Sequence, residues 1–210
     1  LLREDWCTGE ILLLSPRRVA ARAAAERMAA MLGEKPGETI GYLTRLDSKR
    51  SAKTRVTVLT EAIFLNRIVA DPELPSVSAV LFDEAHERHL DSDFGLALAL
   101  ETQGVLREDL RLLVMSATLD GERFAGLMND CPVIESEGRS HPLRIEWLGA
   151  SGTQRFEDAM ADAVAQAWRA EEGDILAFLP GVREIERVRE RLEDRLRGAV
   201  ILPLHGQVDP

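Results

Sequence analysis

Residues 79–86 have the sequence Ala-Val-Leu-Phe-Asp-Glu-Ala-His, an apolar run that ends in two carboxylates and an imidazole. A second apolar run ends in Ser116-Ala117-Thr118. Short apolar runs of this kind are typical of buried strands, and polar groups at the carboxyl ends of parallel strands lie where open α/β sheets bind their ligands. The two runs therefore predict the ligand-binding edge of a nucleotide-binding sheet.

Asp83 and Glu84 are the residue types that phosphoryl transfer needs at such an edge. An aspartate at a strand end can hold Mg²⁺, while a neighbouring carboxylate orients or deprotonates the attacking water. Taken alone, the tetrapeptide could equally be two solvated carboxylates before a helix-capping turn. The apolar run before it and the second run with Ser-Ala-Thr favour the catalytic interpretation.

The rest of the chain alternates predicted strands with predicted helices. Strands are predicted at 11–14, 56–59, 77–82, 110–115 and 133–134, and helices at 19–32, 61–69 and 120–128. Parallel strands joined by helical crossovers form a sheet covered on both faces. The turn-rich stretch 137–142 predicts a domain boundary. Beyond it, strands are predicted at 143–148, 175–179 and 199–202, and helices at 156–168 and 182–197.

Motif by motif, the chain resembles the DEAH-box helicases of superfamily 2, and most of all their bacterial helicase-related protein B branch. Besides the two segments quoted above, the resemblance depends on the order and spacing of four others. These are Ser15-Pro16-Arg17-Arg18-Val19-Ala20-Ala21, Thr60-Glu61, Phe178-Leu179-Pro180-Gly181 with Glu184-Ile185, and Pro203-Leu204-His205-Gly206. The resemblance implies an α/β fold: a RecA-like parallel sheet with helices on both faces, plus the start of a second RecA-like lobe. It places the helicase ATP-binding lobe at 1–138 and the start of the C-terminal lobe at 139–210.

The resemblance also implies an activity, namely coupling of Mg-ATP hydrolysis to movement along RNA or DNA. Glu84 would polarise the water and Asp83 would bind Mg²⁺. The catalytic residues that it implies are Asp83, Glu84, His86, Ser116 and Thr118. The nucleic-acid-binding residues that it implies are Arg17, Arg18 and Thr60.

Several of these assignments have a structural alternative. Thr60 and Thr118 could cap the helices that follow them, and His86 could be a purely structural imidazole. Charged side chains often do no more than solvate a surface. That alternative applies to Arg17 with Arg18, and also to the basic cluster Arg45, Lys49, Arg50, Lys53 and Arg55.

The 210 residues contain no Gly-Lys dipeptide, and hence no Gly-x-x-x-x-Gly-Lys-Ser/Thr loop to hold the nucleotide phosphates. The family's later motifs, with arginines for the γ-phosphate, are expected beyond Pro210. We therefore expect a helicase fragment that turns over little ATP by itself. The alternative is a non-catalytic RecA-like remnant that binds nucleic acid.

Composition narrows the remaining function classes. The net charge of −10 means that any nucleic-acid binding must use local arginines, because phosphate contacts favour a basic surface. We expect a soluble cytoplasmic protein, because the sequence has no apolar run of membrane-spanning length. Cys7 and Cys131 are isolated, which argues against a zinc ribbon or a disulfide framework. The stretch His86-Glu87-Arg88-His89 lacks the His-Glu-x-x-His spacing of a zinc protease.

Overall fold

The computed structural model describes residues 1–117, 121–136, 138, 141–149 and 152–206. It divides the chain into two compact units, Leu1–Glu137 and Gly138–Pro210. The identification of these units with two helicase lobes stays a prediction. Within the described residues, no helix has both the length and the apolar character that crossing a membrane requires.

The first unit is built on a six-stranded sheet with the order β3-β2-β4-β1-β5-β6. Its strands are β1 (Glu10–Ser15), β2 (Ile40–Leu43), β3 (Ser48–Lys49), β4 (Val56–Thr60), β5 (Val77–Phe82) and β6 (Arg111–Val114). Neighbouring strands are parallel except for the antiparallel pair β2–β3, so the sheet is mixed and not wholly parallel as expected. The reason is the short connection between β2 and β3, which suits a hairpin but not a parallel crossover.

Helices cover both faces of this sheet. They are α1 (Arg18–Met31), α2 (Glu61–Ala70), α3 (Leu90–Val105) and α4 (Gly121–Leu127). Side chains alternate along β1, so that Leu12 and Leu14 join a core with α2 and α3, while Ile11 joins a second core with α1. The two faces thus have separate cores, which hold the strand ends in fixed positions.

The second unit contains α5 (Phe156–Ala170) and α6 (Val182–Glu193). They pack through the buried residues Ala161, Ala165, Val188 and Leu192. Charged pairs also link α5 to α6 and to the turn that follows α6, and they are Arg187 with Glu157, Arg191 with Asp158 and Arg195 with Asp162.

The strand predictions beyond β6 are wrong for the residues that the structure describes. Residues 133–134, 143–148, 175–179 and 199–202 form no strands. A strand requires a neighbour that completes its hydrogen-bond ladder, and apolar composition alone does not supply one.

Candidate nucleotide and nucleic-acid site

The carboxyl ends of β1, β4, β5 and β6 meet at one edge of the sheet, because these strands are parallel neighbours. Leu14 lies opposite Phe82, and Phe82 lies opposite Val114. The segments that follow these residues contain Arg17, Asp83 and Ser116. The structure therefore brings the predicted site segments of the first unit to a common edge, as open α/β sheets do at their ligand sites.

The Asp83–Glu84 segment is fixed to the strands on both sides of it. The Asp83 amide donates to the Leu14 carbonyl oxygen at 3.2 Å, and the Ala85 amide donates to the Met115 carbonyl oxygen at 3.0 Å. Glu84 adopts the left-handed conformation with φ 54°, which is uncommon for a residue other than glycine. The chain then forms a short 3-10 helix at Ala85–Glu87. This sharp turn places the two carboxylates just beyond the end of β5, with Asp83 half-buried and Glu84 exposed.

The two carboxylates have different surroundings. Oδ1 of Asp83 accepts a hydrogen bond from the Glu84 amide at 2.9 Å, which fixes the side chain and leaves Oδ2 for another partner. Mg²⁺ is commonly held by one or two carboxylates, with water and substrate phosphates completing its coordination. Asp83 fits that kind of ligand. The Glu84 side chain is 46% exposed, so a water molecule can reach it.

His86 links the Asp-Glu-Ala-His segment to the Ser-Ala-Thr segment. Its Nδ1 accepts a hydrogen bond from the Ala117 amide at 3.3 Å, and the same Nδ1 lies 3.4 Å from Oε2 of Glu84. One nitrogen cannot accept from Ala117 and donate to Glu84 at the same time. A ring that accepts from Ala117 through Nδ1 and carries a single hydrogen has that hydrogen on Nε2. In this state the Glu84 contact is not an ion pair.

Ser116 is half-buried immediately beyond β6. Thr118 lies outside the described residues, so both its predicted coupling role and its capping alternative stay predictions. Ser116 and Ala117 are close to the Asp-Glu-Ala-His segment through the Met115 and Ala117 backbone contacts. The described part of the Ser-Ala-Thr segment, Ser116 and Ala117, is thus adjacent to the candidate hydrolytic residues.

Arg17, Arg18 and Thr60 lie at helix N-termini on the same edge. Arg17 is the N-cap residue of α1 and Arg18 its first residue, and both are exposed. Thr60 occupies the N-cap position of α2 but makes no side-chain capping hydrogen bond, which leaves its hydroxyl available for another contact. Helix N-termini and arginine side chains both favour anions such as backbone phosphates.

The basic cluster contributes two arginines that have internal partners. Arg55 donates to the Cys7 carbonyl oxygen at 2.6 Å, and Arg50 lies 3.8 Å from Glu10. These contacts favour a structural role for Arg50 and Arg55.

Three polar residues beside this edge were not predicted as site residues, namely Glu61, Glu87 and His89. Glu61 starts α2 and is buried. Burial raises the pKa of Glu61, while His89 and Ser92 oppose that shift by stabilising the charged form. The available signal was an acidic residue directly after the predicted contact Thr60. In the sequence, Glu61 is recognisable only as part of the Thr60-Glu61 motif.

No protein-family model matches the chain. The chain is 48% identical over 207 residues to the ATP-dependent RNA helicase HrpB of Escherichia coli K12, which covers 98% of this chain and 26% of HrpB. The chain is a homologue of the DEAH helicases. It is also 38% identical over 199 residues to the ATP-dependent RNA helicase HrpA of Escherichia coli K12, covering 92% of this chain and 15% of HrpA.

Two solved structures of HrpB are similar to this chain. The crystal structure of the Escherichia coli DEAH/RHA helicase HrpB matches 93% of the chain and 25% of its own length, with a TM-score of 0.86 and 48% identity. The crystal structure of the E. coli DExH-box NTPase HrpB matches 96% of the chain and 25% of its own length, with a TM-score of 0.76 and 48% identity. The sheet with helices on both faces therefore has the RecA-like fold found in HrpB, and the motif resemblance is confirmed. The chain spans about a quarter of the length of HrpB.

Proposed function

We propose that the natural protein carrying this sequence is an ATP-dependent RNA helicase that couples Mg-ATP hydrolysis to movement along RNA. Its relatives HrpB and HrpA are named ATP-dependent RNA helicases. The observation that carries the proposal is the convergence of Asp83, Glu84 and His86 with Arg17 and Thr60 at one edge of a RecA-like sheet.

Hydrolysis would use the two carboxylates beyond β5. Asp83 would hold Mg²⁺, and the ion would neutralise charge that develops on the transferred phosphoryl group. Glu84 would orient the attacking water and accept its proton. Support for this division comes from Asp83 being fixed by the Glu84 amide at 2.9 Å while the Glu84 carboxylate stays accessible.

Coupling would use His86 and the Ser-Ala-Thr segment. The hydrogen bond between Ala117 and Nδ1 of His86 is mutually exclusive with donation from that nitrogen to Glu84. A change at the Glu84 carboxylate during hydrolysis would therefore affect the backbone of residues 115–117. Ser116 and Thr118 would transmit that change to the rest of the protein.

RNA would bind at the helix N-termini of α1 and α2. Arg17, Arg18 and Thr60 would contact backbone phosphates there, which explains how a protein with a net charge of −10 can bind nucleic acid locally. Phosphate contacts carry no base identity. RNA is proposed over DNA because the relatives are named RNA helicases.

The test is RNA-stimulated ATP hydrolysis by the natural protein and its Glu84→Gln variant. Glutamine keeps the size of the side chain but cannot accept a proton, so turnover should fall by about 100-fold or more while ATP binding is retained. Glu108→Gln is the matched control, since Glu108 is an exposed glutamate in the segment between α3 and β6. It should keep wild-type turnover.

Wild-type turnover in Glu84→Gln would refute the assigned role of this residue. RNA binding without any ATP hydrolysis in the wild-type protein would favour the non-catalytic nucleic-acid-binding alternative.

A further inference from the structure

Glu87 stands between the candidate nucleotide site and the candidate RNA contacts. It ends the 3-10 helix that follows Glu84. Its Oε1 accepts a hydrogen bond from Nη2 of Arg17 at 2.8 Å, across 70 positions of sequence. Its Oε2 is buried and has no hydrogen-bond partner among the described residues. A buried carboxylate oxygen without a partner is costly, so a nearby donor is needed to offset that cost.

His89 is the ionisable group placed to supply that donor. Its Nε2 lies 3.3 Å from Oε2 of Glu87, and its Nδ1 lies 3.5 Å from Oε2 of Glu61. A neutral imidazole has a single N–H and cannot donate to both carboxylates, whereas an imidazolium can donate to both. His89 thus lies between the two carboxylates, in a series of four neighbouring side chains: Arg17, Glu87, His89 and Glu61.

Both ends of this series of side chains adjoin candidate RNA contacts. Arg17 is itself one of them, and Glu61 directly follows Thr60 at the start of α2. The side chain of Glu61 is only 9% exposed, and the pKa shift caused by its burial is opposed by His89 and Ser92. The buried acid is thus stabilised by the ring that also faces Glu87.

We propose that Glu87 is a positioning residue that holds the Arg17 side chain in the orientation in which it binds RNA. His89 and Glu61 would in turn keep the Glu87 side chain in place. This inference deepens and rests on the proposed RNA-binding function. The Arg17 side chain is 71% exposed and uses one terminal nitrogen for Glu87. Its other N–H groups remain to meet a phosphate, because a guanidinium carries five donors in a rigid fork.

The contact between Glu87 and Arg17 would link ATP hydrolysis to RNA binding, because Glu87 is close in sequence to the candidate hydrolytic residues. Glu87 is next to His86, whose ring accepts the Ala117 amide hydrogen. A shift of the 3-10 helix would move His86 and Glu87 together, and Glu87 would carry Arg17 with it. Holding a long side chain in place before binding lowers the entropy that binding costs.

The experiment measures binding of a fluorescent single-stranded oligouridylate to the natural protein by anisotropy. The proteins are wild type, Arg17→Ala, Glu87→Gln and the double variant. Loss of a charged hydrogen bond to phosphate in Arg17→Ala should raise Kd by about tenfold or more. Loss of side-chain positioning in Glu87→Gln should raise Kd by about 2- to 10-fold. In the Arg17→Ala background, Glu87→Gln should add no further loss.

Two further measurements separate positioning from a general structural effect. In the ATPase assay, Glu87→Gln should raise the RNA concentration for half-maximal stimulation and keep kcat at saturating RNA. Asp93→Asn is the matched control, because it breaks the exposed Arg88–Asp93 pair on the neighbouring segment and should change neither value. Thermal melting of each variant checks that the fold is intact.

The outcomes separate this inference from the proposed function. Unchanged RNA affinity in Arg17→Ala would remove Arg17 from the RNA contacts and overturn the positioning role, whereas the proposed function would still stand if RNA stimulates ATP hydrolysis. If Arg17→Ala weakens binding while Glu87→Gln leaves it equal or tighter, the positioning role is overturned and the Arg17 contact stands. Equal losses from Glu87→Gln in the presence and absence of Arg17 would also overturn the positioning role, because they would show an effect independent of that arginine.

Discussion

Replacement of Phe64 by alanine should strongly destabilise the first unit. Phe64 in α2 and Phe82 at the end of β5 are both fully buried. Their rings meet edge to face with centroids 5.7 Å apart and planes at 90°. This contact fixes the helix that begins after Thr60 against the strand that leads to Asp83. It therefore holds the two parts of the candidate site together.

The expected loss follows from the chemistry that is removed. Truncation of a buried phenylalanine to alanine costs about 3–5 kcal/mol, because apolar contacts are lost and a cavity remains. The ring pair accounts for about 0.5–1.5 kcal/mol of that loss. Small domains have a total stability of about 5–15 kcal/mol, so the variant should lose a large share of it. The melting temperature of a unit of this size should fall by about 10–20 °C.

The assay is hydrogen exchange of the β5 amides, read by mass spectrometry on a peptide covering residues 77–82. A local probe is preferable because a chain with two units need not unfold in a single step. Phe94→Ala is the matched control: it removes the same side chain from α3, where Phe94 is 51% exposed. The control should lose less than about 1 kcal/mol. Similar losses in both variants would refute the assignment of Phe64 to the core.

Two more predictions concern stability. Burial raises the pKa of Glu61 above its ordinary value of 4.5. Its contribution to stability is therefore present below pH 4.5 and is lost as pH rises through the raised pKa. Chemical denaturation of the wild type and of Glu61→Gln should show that the variant gains stability relative to the wild type as pH rises through this range. A difference in unfolding free energy that does not change with pH would contradict the raised pKa of Glu61. Gly9→Ala should destabilise by about 2 kcal/mol or more, because its Cβ would come 2.2 Å from the Ser76 carbonyl oxygen. Gly104→Ala is the control, because nothing lies within 4 Å of the new Cβ. Calorimetry should show an unchanged or higher melting temperature for this variant. If its stability falls as much as that of Gly9→Ala, the clash at Gly9 is contradicted.

The sequence predicted the elements of the first unit that have a strong local signal. Strand β5 was predicted at its observed bounds, and β1, β4, α1 and α2 were predicted to within one or two residues. Apolar runs and alanine-rich stretches determine these elements, because side chains that are buried on one face recur with the period of a strand or of a helix. The motif resemblance then indicated which strand ends are followed by candidate functional polar residues.

The elements that the sequence analysis missed depend on close packing at glycines. Strand β2 contains Gly41, where a Cβ would lie 2.5 Å from the Lys49 carbonyl oxygen of β3. Helix α3 contains Gly95, where a Cβ would lie 3.2 Å from the Phe64 ring. Glycine within a segment weakens the prediction of a strand or a helix. In both places it allows another element to approach, which is a tertiary requirement.

The sequence by itself determined which residues bring carboxylate, imidazole and guanidinium chemistry to this protein, and that several of them follow buried strands. Only the tertiary structure decided that Arg17 meets Glu87, and that His89 lies between Glu87 and Glu61. The physical reason is the strand order, in which β1 lies between β4 and β5. Hydrogen bonding between these strands brings residues distant in the chain to neighbouring positions, and no local pattern of side chains encodes that order.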